Sequence, residues 1–222
     1  MGSRDNHCRL TTLFFDLDDT LYTGNGLWEA IKARMNLYMV ERLGLPAGQV
    51  PALRRQYYET YGTTLRGLQM HHQVDSDDFL AYVHDLPLDR YLEPSPALRE
   101  MLLSLPQKRW IFTNADEAHA CRVLTALSLE GCFDGIVDVR AVDFLCKPAS
   151  EAYLRAVQLS GAGSPENCVF LDDSIRNLQP AFDLGFTTVL VGAQSPHPAA
   201  DYTLSSLLEL REVMPQLWSQ AS

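Results

Sequence analysis

The chain has 222 residues, 46% of them hydrophobic and 21% charged, enough for one sizeable core or a core with a small accessory domain. A formal net charge of −10 argues against nucleic acid or an anionic membrane as partner, but leaves room for a small anionic substrate if a metal or local cations override the field. Five scattered cysteines (Cys8, Cys121, Cys132, Cys146, Cys168) form no C-x-x-C, no signal peptide is legible and no apolar run spans a bilayer, so reduced thiols in a soluble, cytoplasmic protein are expected.

In chain order, "TTLFFDL" (11–17) reads as a buried strand, β-branched and aromatic with apolar residues on both faces. From about Thr23 to Tyr91 only helical patterns follow, rich in Leu, Tyr, Arg and Met and separated by "GLPAG", "YGTT" and "DLPLD". An all-helical insertion is expected there. Strand-like runs then recur at "RWIFTN" (109–114), "GIVDV" (135–139), "NCVFLDD" (167–173) and "FTTVLVG" (186–192), with a shorter one at "DYTLSS" (201–206). Between them, "EAHACRVLTALSLEG", "ASEAYLRAVQLSG" and "IRNLQPAFDLG" read as helices stopped by glycine, and "GAG" (161–163) as a helix-to-strand loop. The alternation predicts an α/β, Rossmann-like core: a parallel sheet covered by helices on both sides. The expected division is 1–22 with 92–222 as the core, and 23–91 as a helical cap returning through "HDLPLDRYLEP".

Ligands of such sheets bind beyond the carboxyl ends of the strands. Four ends here are chemically pointed: Asp16, Asp18, Asp19 and Thr20; Thr113 and Asn114; Lys147 before Pro148; and Asp172, Asp173 and Ser174. Each has a plain structural reading, as helix caps or a surface lysine. Together they supply carboxylates for a divalent cation, a cation for an anion, and hydroxyl and backbone N–H groups for phosphate oxygens.

These motifs resemble those of the haloacid dehalogenase-like superfamily of phosphohydrolases. Asp16-Leu17-Asp18-Asp19-Thr20 matches its D-x-D-x-T motif, "IFTN" its second motif at Thr113, Lys147 its motif lysine, and Asp172-Asp173 its acidic fourth motif. The resemblance implies Asp16 as nucleophile, forming an aspartyl-phosphate, and Asp18 as general acid and base. It implies Mg²⁺ held by Asp16, the Asp18 backbone carbonyl and Asp173, with Asp172 acting through a water. Thr113 and the Asn114 backbone N–H would hold phosphate oxygens, Lys147 would balance charge, and Asp19 would shape the turn.

The insertion stretch "YYETYGTTLRGL" and the continuation "TNA…HA" resemble the pyrimidine 5'-nucleotidase subfamily, implying nucleoside monophosphates such as UMP and CMP as substrates. Tyr57, Tyr58 and Tyr61 at helical spacing read first as core. Tyr61 and Arg66 are the candidate substrate contacts, Arg66 being equally suited to a helix-end salt bridge. His71, His72 and His84 lack a recognised ligand spacing and read as exposed histidines. A phosphatase or phosphomutase for a sugar phosphate or another small phosphometabolite is the alternative. A haloacid dehalogenase is disfavoured, because the paired acids serve a metal that carbon–halogen cleavage does not need, and a non-enzymatic scaffold is disfavoured because no core motif residue is missing. Either a monomer or a homodimer is compatible with the sequence.

Overall fold

The computed structural model describes residues 10–219, so Cys8 lies outside the described residues. Six parallel strands, β1 (Thr12–Phe15), β2 (Lys108–Phe112), β3 (Gly135–Val137), β4 (Cys168–Asp172), β5 (Thr187–Val191) and β6 (Tyr202–Leu204), pair in the order β3-β2-β1-β4-β5-β6. The chain winds outward from β1 to β3, then returns to β4 on the other side of β1. The crevice therefore opens beyond the carboxyl ends of β1 and β4.

Strand β1 shows why its sequence lacks a polar face. Leu13 and Phe15 point into one apolar layer, while Phe14 points into the other, where it meets Phe112 and Phe186 edge to face. All three are fully buried.

Between β1 and β2 lie α1 (Leu27–Glu41), α2 (Val50–Tyr61), α3 (Thr64–His72) and α4 (Ser76–His84), packed around a third apolar cluster containing Tyr38, Tyr57, Leu68 and Phe79. Helix α5 (Pro96–Ser104) precedes β2, α6 (Glu117–Ala126) follows it, and α7 (Ser150–Ser160) and α8 (Ile175–Leu184) flank β4. Short helices α9 (Leu210–Val213) and α10 (Gln216–Ser219) close the described chain. No described helix is long and apolar enough to cross a membrane, and Cys121, Cys132 and Cys146 form no disulfide.

Gly161 and Gly185 end α7 and α8 in left-handed conformation, as expected. Helix α6 does not run to Gly131. It stops at Ala126 because Ser128 takes a φ of 58° and Leu129 N–H closes back on the Leu124 carbonyl at 2.8 Å. That closure drives the Leu129 side chain into the core, where it is fully buried.

Candidate active site

The ladder continues one residue past β1, where Asp16 N–H donates to the Leu171 carbonyl at 2.9 Å. Leu17 is buried, and Asp19 turns the chain with a φ of 60°. That turn places Thr20 so that its hydroxyl donates to Asp16 Oδ2 at 3.4 Å and accepts from Asp173 N–H at 3.1 Å. Two strand ends are thereby tied together by one side chain.

Lys147, which is 1% exposed, enters this crevice. Its Nζ donates to Asp16 Oδ1 at 2.6 Å, to the Phe112 carbonyl at 2.7 Å and to Asp172 Oδ2 at 3.0 Å. Three acceptors require three N–H bonds, so the group is an ammonium. Its backbone is held by the Asn114 side chain, which accepts from Lys147 N–H at 2.9 Å and donates to Lys147 O at 3.0 Å. Thr113 Oγ1 accepts from Ala115 N–H at 3.0 Å, and Thr113 and Asn114 both line the cavity.

One carboxylate oxygen each of Asp16, Asp172 and Asp173 lies within 4.8 Å of the others. Burial raises Asp16 well above the usual carboxylate range, against the pull of Lys147, with Asp172 and Asp173 pushing the same way. Burial also lifts Asp173 to about 7, helped by Asp172 and Asp19. Lys147 is raised despite burial, because Asp16 and Asp172 favour its charged form. One lysine is thus set against three crowded acids, a donor set of hard oxygens that fits a divalent cation. Asp172 is already engaged at both oxygens, by Lys147, Asn177 and Ser174 N–H, whereas the Asp173 side chain opens to the cavity.

Beside this cluster runs a second network that sequence reasoning missed. Asp18 Oδ1 accepts from the Tyr22 hydroxyl and lies 3.0 Å from His119 Nε2. His119 stacks on His84 with ring centroids 4.0 Å apart, and His84 Nδ1 lies 3.0 Å from Asp116 Oδ1. Burial opposes ionisation of Asp18, yet His119 and Tyr22 hold it down at about 2. His84 is therefore not an exposed residue. It is 8% exposed, because α4 ends against α6 and Arg122 donates to the His84 carbonyl at 2.6 Å. His71 is exposed and His72 half-buried.

A cavity of about 530 Å³ joins the strand ends to the underside of the helical insertion. Its far wall includes Trp28, Arg54, Tyr58 and Phe79. The candidate contacts Tyr61 and Arg66 are not in that wall. Tyr61 packs on the third cluster with its hydroxyl 2.6 Å from His71 Nε2, and Arg66 lies in the first turn of α3, its N–H capped by Thr63 Oγ1 at 3.1 Å. Arg54 and Tyr58, one helical turn apart on α2, face inward instead, and the Arg176 guanidinium lies 4.5 Å over the Tyr58 ring. Tyr57 is buried core, as its spacing suggested. Helical periodicity alone does not say which face of α2 turns to the crevice.

The haloacid dehalogenase-like hydrolase family matches residues 10–185. Phosphate metabolism protein 8 of Saccharomyces cerevisiae is 32% identical over an alignment of 211 residues that covers 87% of this chain and 63% of that protein. The chain thus spans less than two thirds of that relative's length. Among solved structures, the magnesium-bound HAD-hydrolase YfnB of Bacillus subtilis aligns with a TM-score of 0.62 at 16% identity, covering 92% of this chain and 98% of that one. A HAD phosphatase from Thermococcus onnurineus aligns at 0.62 and 20% identity, covering 91% and 96%. The L-2-haloacid dehalogenase of Xanthobacter autotrophicus aligns at 0.59 and 16% identity, covering 96% and 100%. At such identities the structures speak for the fold, and the family match speaks for the chain: it belongs to the haloacid dehalogenase-like hydrolases.

Proposed function

We propose that the chain is a Mg²⁺-dependent phosphomonoester hydrolase working through an aspartyl-phosphate on Asp16, with pyrimidine nucleoside 5'-monophosphates as its substrate class. The observation that carries the reading is the Lys147 ammonium set between Asp16 and Asp172 at 2.6 and 3.0 Å, at the mouth of a cavity roomy enough for a nucleotide. The name of the yeast relative, a phosphate metabolism protein, is in keeping with it.

Asp16 attacks phosphorus, and the leaving oxygen takes a proton from Asp18 as the P–O bond breaks. Water then attacks the aspartyl-phosphate and gives its proton to the Asp18 carboxylate, releasing phosphate and restoring Asp16. Arrival of a phosphoryl dianion beside Asp18 raises its proton affinity from the low value of the free site. Lys147 compensates charge on Asp16 and the phosphoryl group, while Thr113 and the Asn114 backbone N–H take phosphate oxygens. Asp16, Asp173 and the Asp18 backbone carbonyl would hold the cation, and Asp172 would act through a water, since its oxygens already have donors. When bound, Mg²⁺ neutralises the crowded carboxylates and the phosphoryl charge.

The helical insertion, as a cap, would close the crevice to water and read the part of the substrate remote from phosphorus. A phosphate-release screen over nucleoside monophosphates and sugar phosphates with Mg²⁺ tests the reading. A preference for sugar phosphates would move the substrate class to the alternative phosphometabolites, and no release from any ester would end the phosphatase reading.

A further inference from the structure

We propose that His119 is the positioning residue for Asp18, and that the His84 ring, supplied by the helical insertion, locks it in place. The proposal rests on the reading of Asp18 as general acid and base, and deepens it.

A carboxylate only accepts, so in the His119–Asp18 contact of 3.0 Å the Nε2 carries the hydrogen. The Tyr22 hydroxyl donates to the same oxygen, Oδ1. With two donors on Oδ1, a proton on Asp18 must reside on Oδ2. The pair thereby selects which oxygen faces the leaving group and later the water.

His119 Nδ1 is buried without a hydrogen-bond partner. Nε2, held on Asp18, is thus the ring nitrogen that anchors His119. His84 lies flat on His119, at 15° between planes and 4.0 Å between centroids. Its own Nδ1 is anchored on Asp116, the residue that caps α6 and accepts from His119 N–H at 3.4 Å. Since Arg122 and Arg176 also fasten the insertion to the core through its backbone carbonyls, the ring that clamps His119 arrives only when the insertion is seated. Orientation of the acid is thus coupled to seating of the helices that cover the substrate.

The test compares full-length wild type with His119→Leu and His119→Gln, using a nitrophenyl phosphate and UMP. Nitrophenolate leaves without a proton, so in His119→Leu the first step survives while hydrolysis of the aspartyl-phosphate, which needs Asp18 as base, slows. The expected result is a burst of about one nitrophenolate per enzyme followed by turnover about ten- to a hundredfold slower, and a loss on UMP in kcat rather than KM. His119→Gln, which keeps an N–H near the Nε2 position, should recover much of the rate, and His84→Phe, which keeps the stacking ring, should recover more than His84→Ala. Circular dichroism and melting of each variant separate unfolding from mispositioning. A folded His119→Leu that shows no burst and falls equally on both esters would overturn the positioning role alone. Wild type that releases no phosphate from any ester would remove the underlying reading and the proposal with it.

Discussion

Lys147 Nζ lies 2.6 Å from Asp16 Oδ1, although the two residues are 131 positions apart in the chain. The contact relieves part of an unfavourable crowding of acids at the switch point of the sheet, leaving net negative charge for a cation to meet. Breaking it from the lysine side leaves Asp16 and Asp172 buried without their cation. Lys147→Met should therefore both silence phosphate release and destabilise the fold by about 3–5 kcal/mol. Urea unfolding reads the second effect, and an unchanged midpoint would show that the pair contributes nothing to stability.

Asp16→Asn, nearly isosteric, should abolish turnover while leaving the far-ultraviolet circular dichroism of the wild type. On the proposed mechanism the change would remove the nucleophile and a cation ligand together. Wild-type phosphatase activity in this variant would mean that Asp16 is not the nucleophile.

EDTA should silence the enzyme and lower its melting temperature, with Mg²⁺ restoring both, since a ligand bound only by the folded state stabilises it by about 2.7 kcal/mol at a hundredfold excess over Kd. Asp173→Ala should weaken the response to Mg²⁺ more than Asp172→Ala does. Asp172→Ala should cost more fold stability, because its fully buried carboxylate is bonded to Lys147, Asn177 and Ser174 N–H. Isothermal titration with Mg²⁺ and melting curves distinguish the two, and the reverse ranking would exchange their roles.

Substrate preference should depend on Arg54 rather than Arg66. UMP and CMP should exceed AMP, GMP and sugar phosphates in kcat/KM. Arg54→Ala should erode that advantage by about ten- to a hundredfold, the cost of one good polar contact, while barely changing a small aryl phosphate. Arg66→Ala should leave the preference close to wild type. Equal kcat/KM for UMP, AMP and glucose 6-phosphate in the wild type would remove the pyrimidine assignment and leave the phosphatase one standing.

Acidification should destabilise the chain partly through His84, whose pKa burial pushes below the ordinary 6.5. Between that lowered value and 6.5 the unfolded chain binds the proton that the folded chain resists, so stability falls as pH drops through this window. The ring faces Asp116 and His119, with Asp18 beyond, and these groups are unchanged in His84→Phe. The variant should lose less melting temperature than wild type between about pH 7 and about pH 5.5. Parallel pH curves would show that His84 does not titrate against folding.

All six strands and the helical insertion were legible in the sequence, because apolar periodicity and strand-length runs are local properties. The D-x-D-x-T turn, Thr113, Lys147 and the paired acids were legible as motifs, because each is a short local pattern close to a strand or helix end. Gly131 misled because a serine at position 128 ended α6 earlier, and nothing in its side chain announces a left-handed turn. What only the tertiary structure decided is which side chains share a space. Periodicity named the tyrosines of α2 but not the face that turns to the cavity, so Arg54 and Tyr58 stand where Arg66 and Tyr61 were expected. The stack of His84 on His119 joins residues from two helices far apart in the chain, and no local pattern encodes it. Burial of both rings beside Asp18 follows from the docking of α4 against α6, a packing event that exists only once the sheet and the insertion have met.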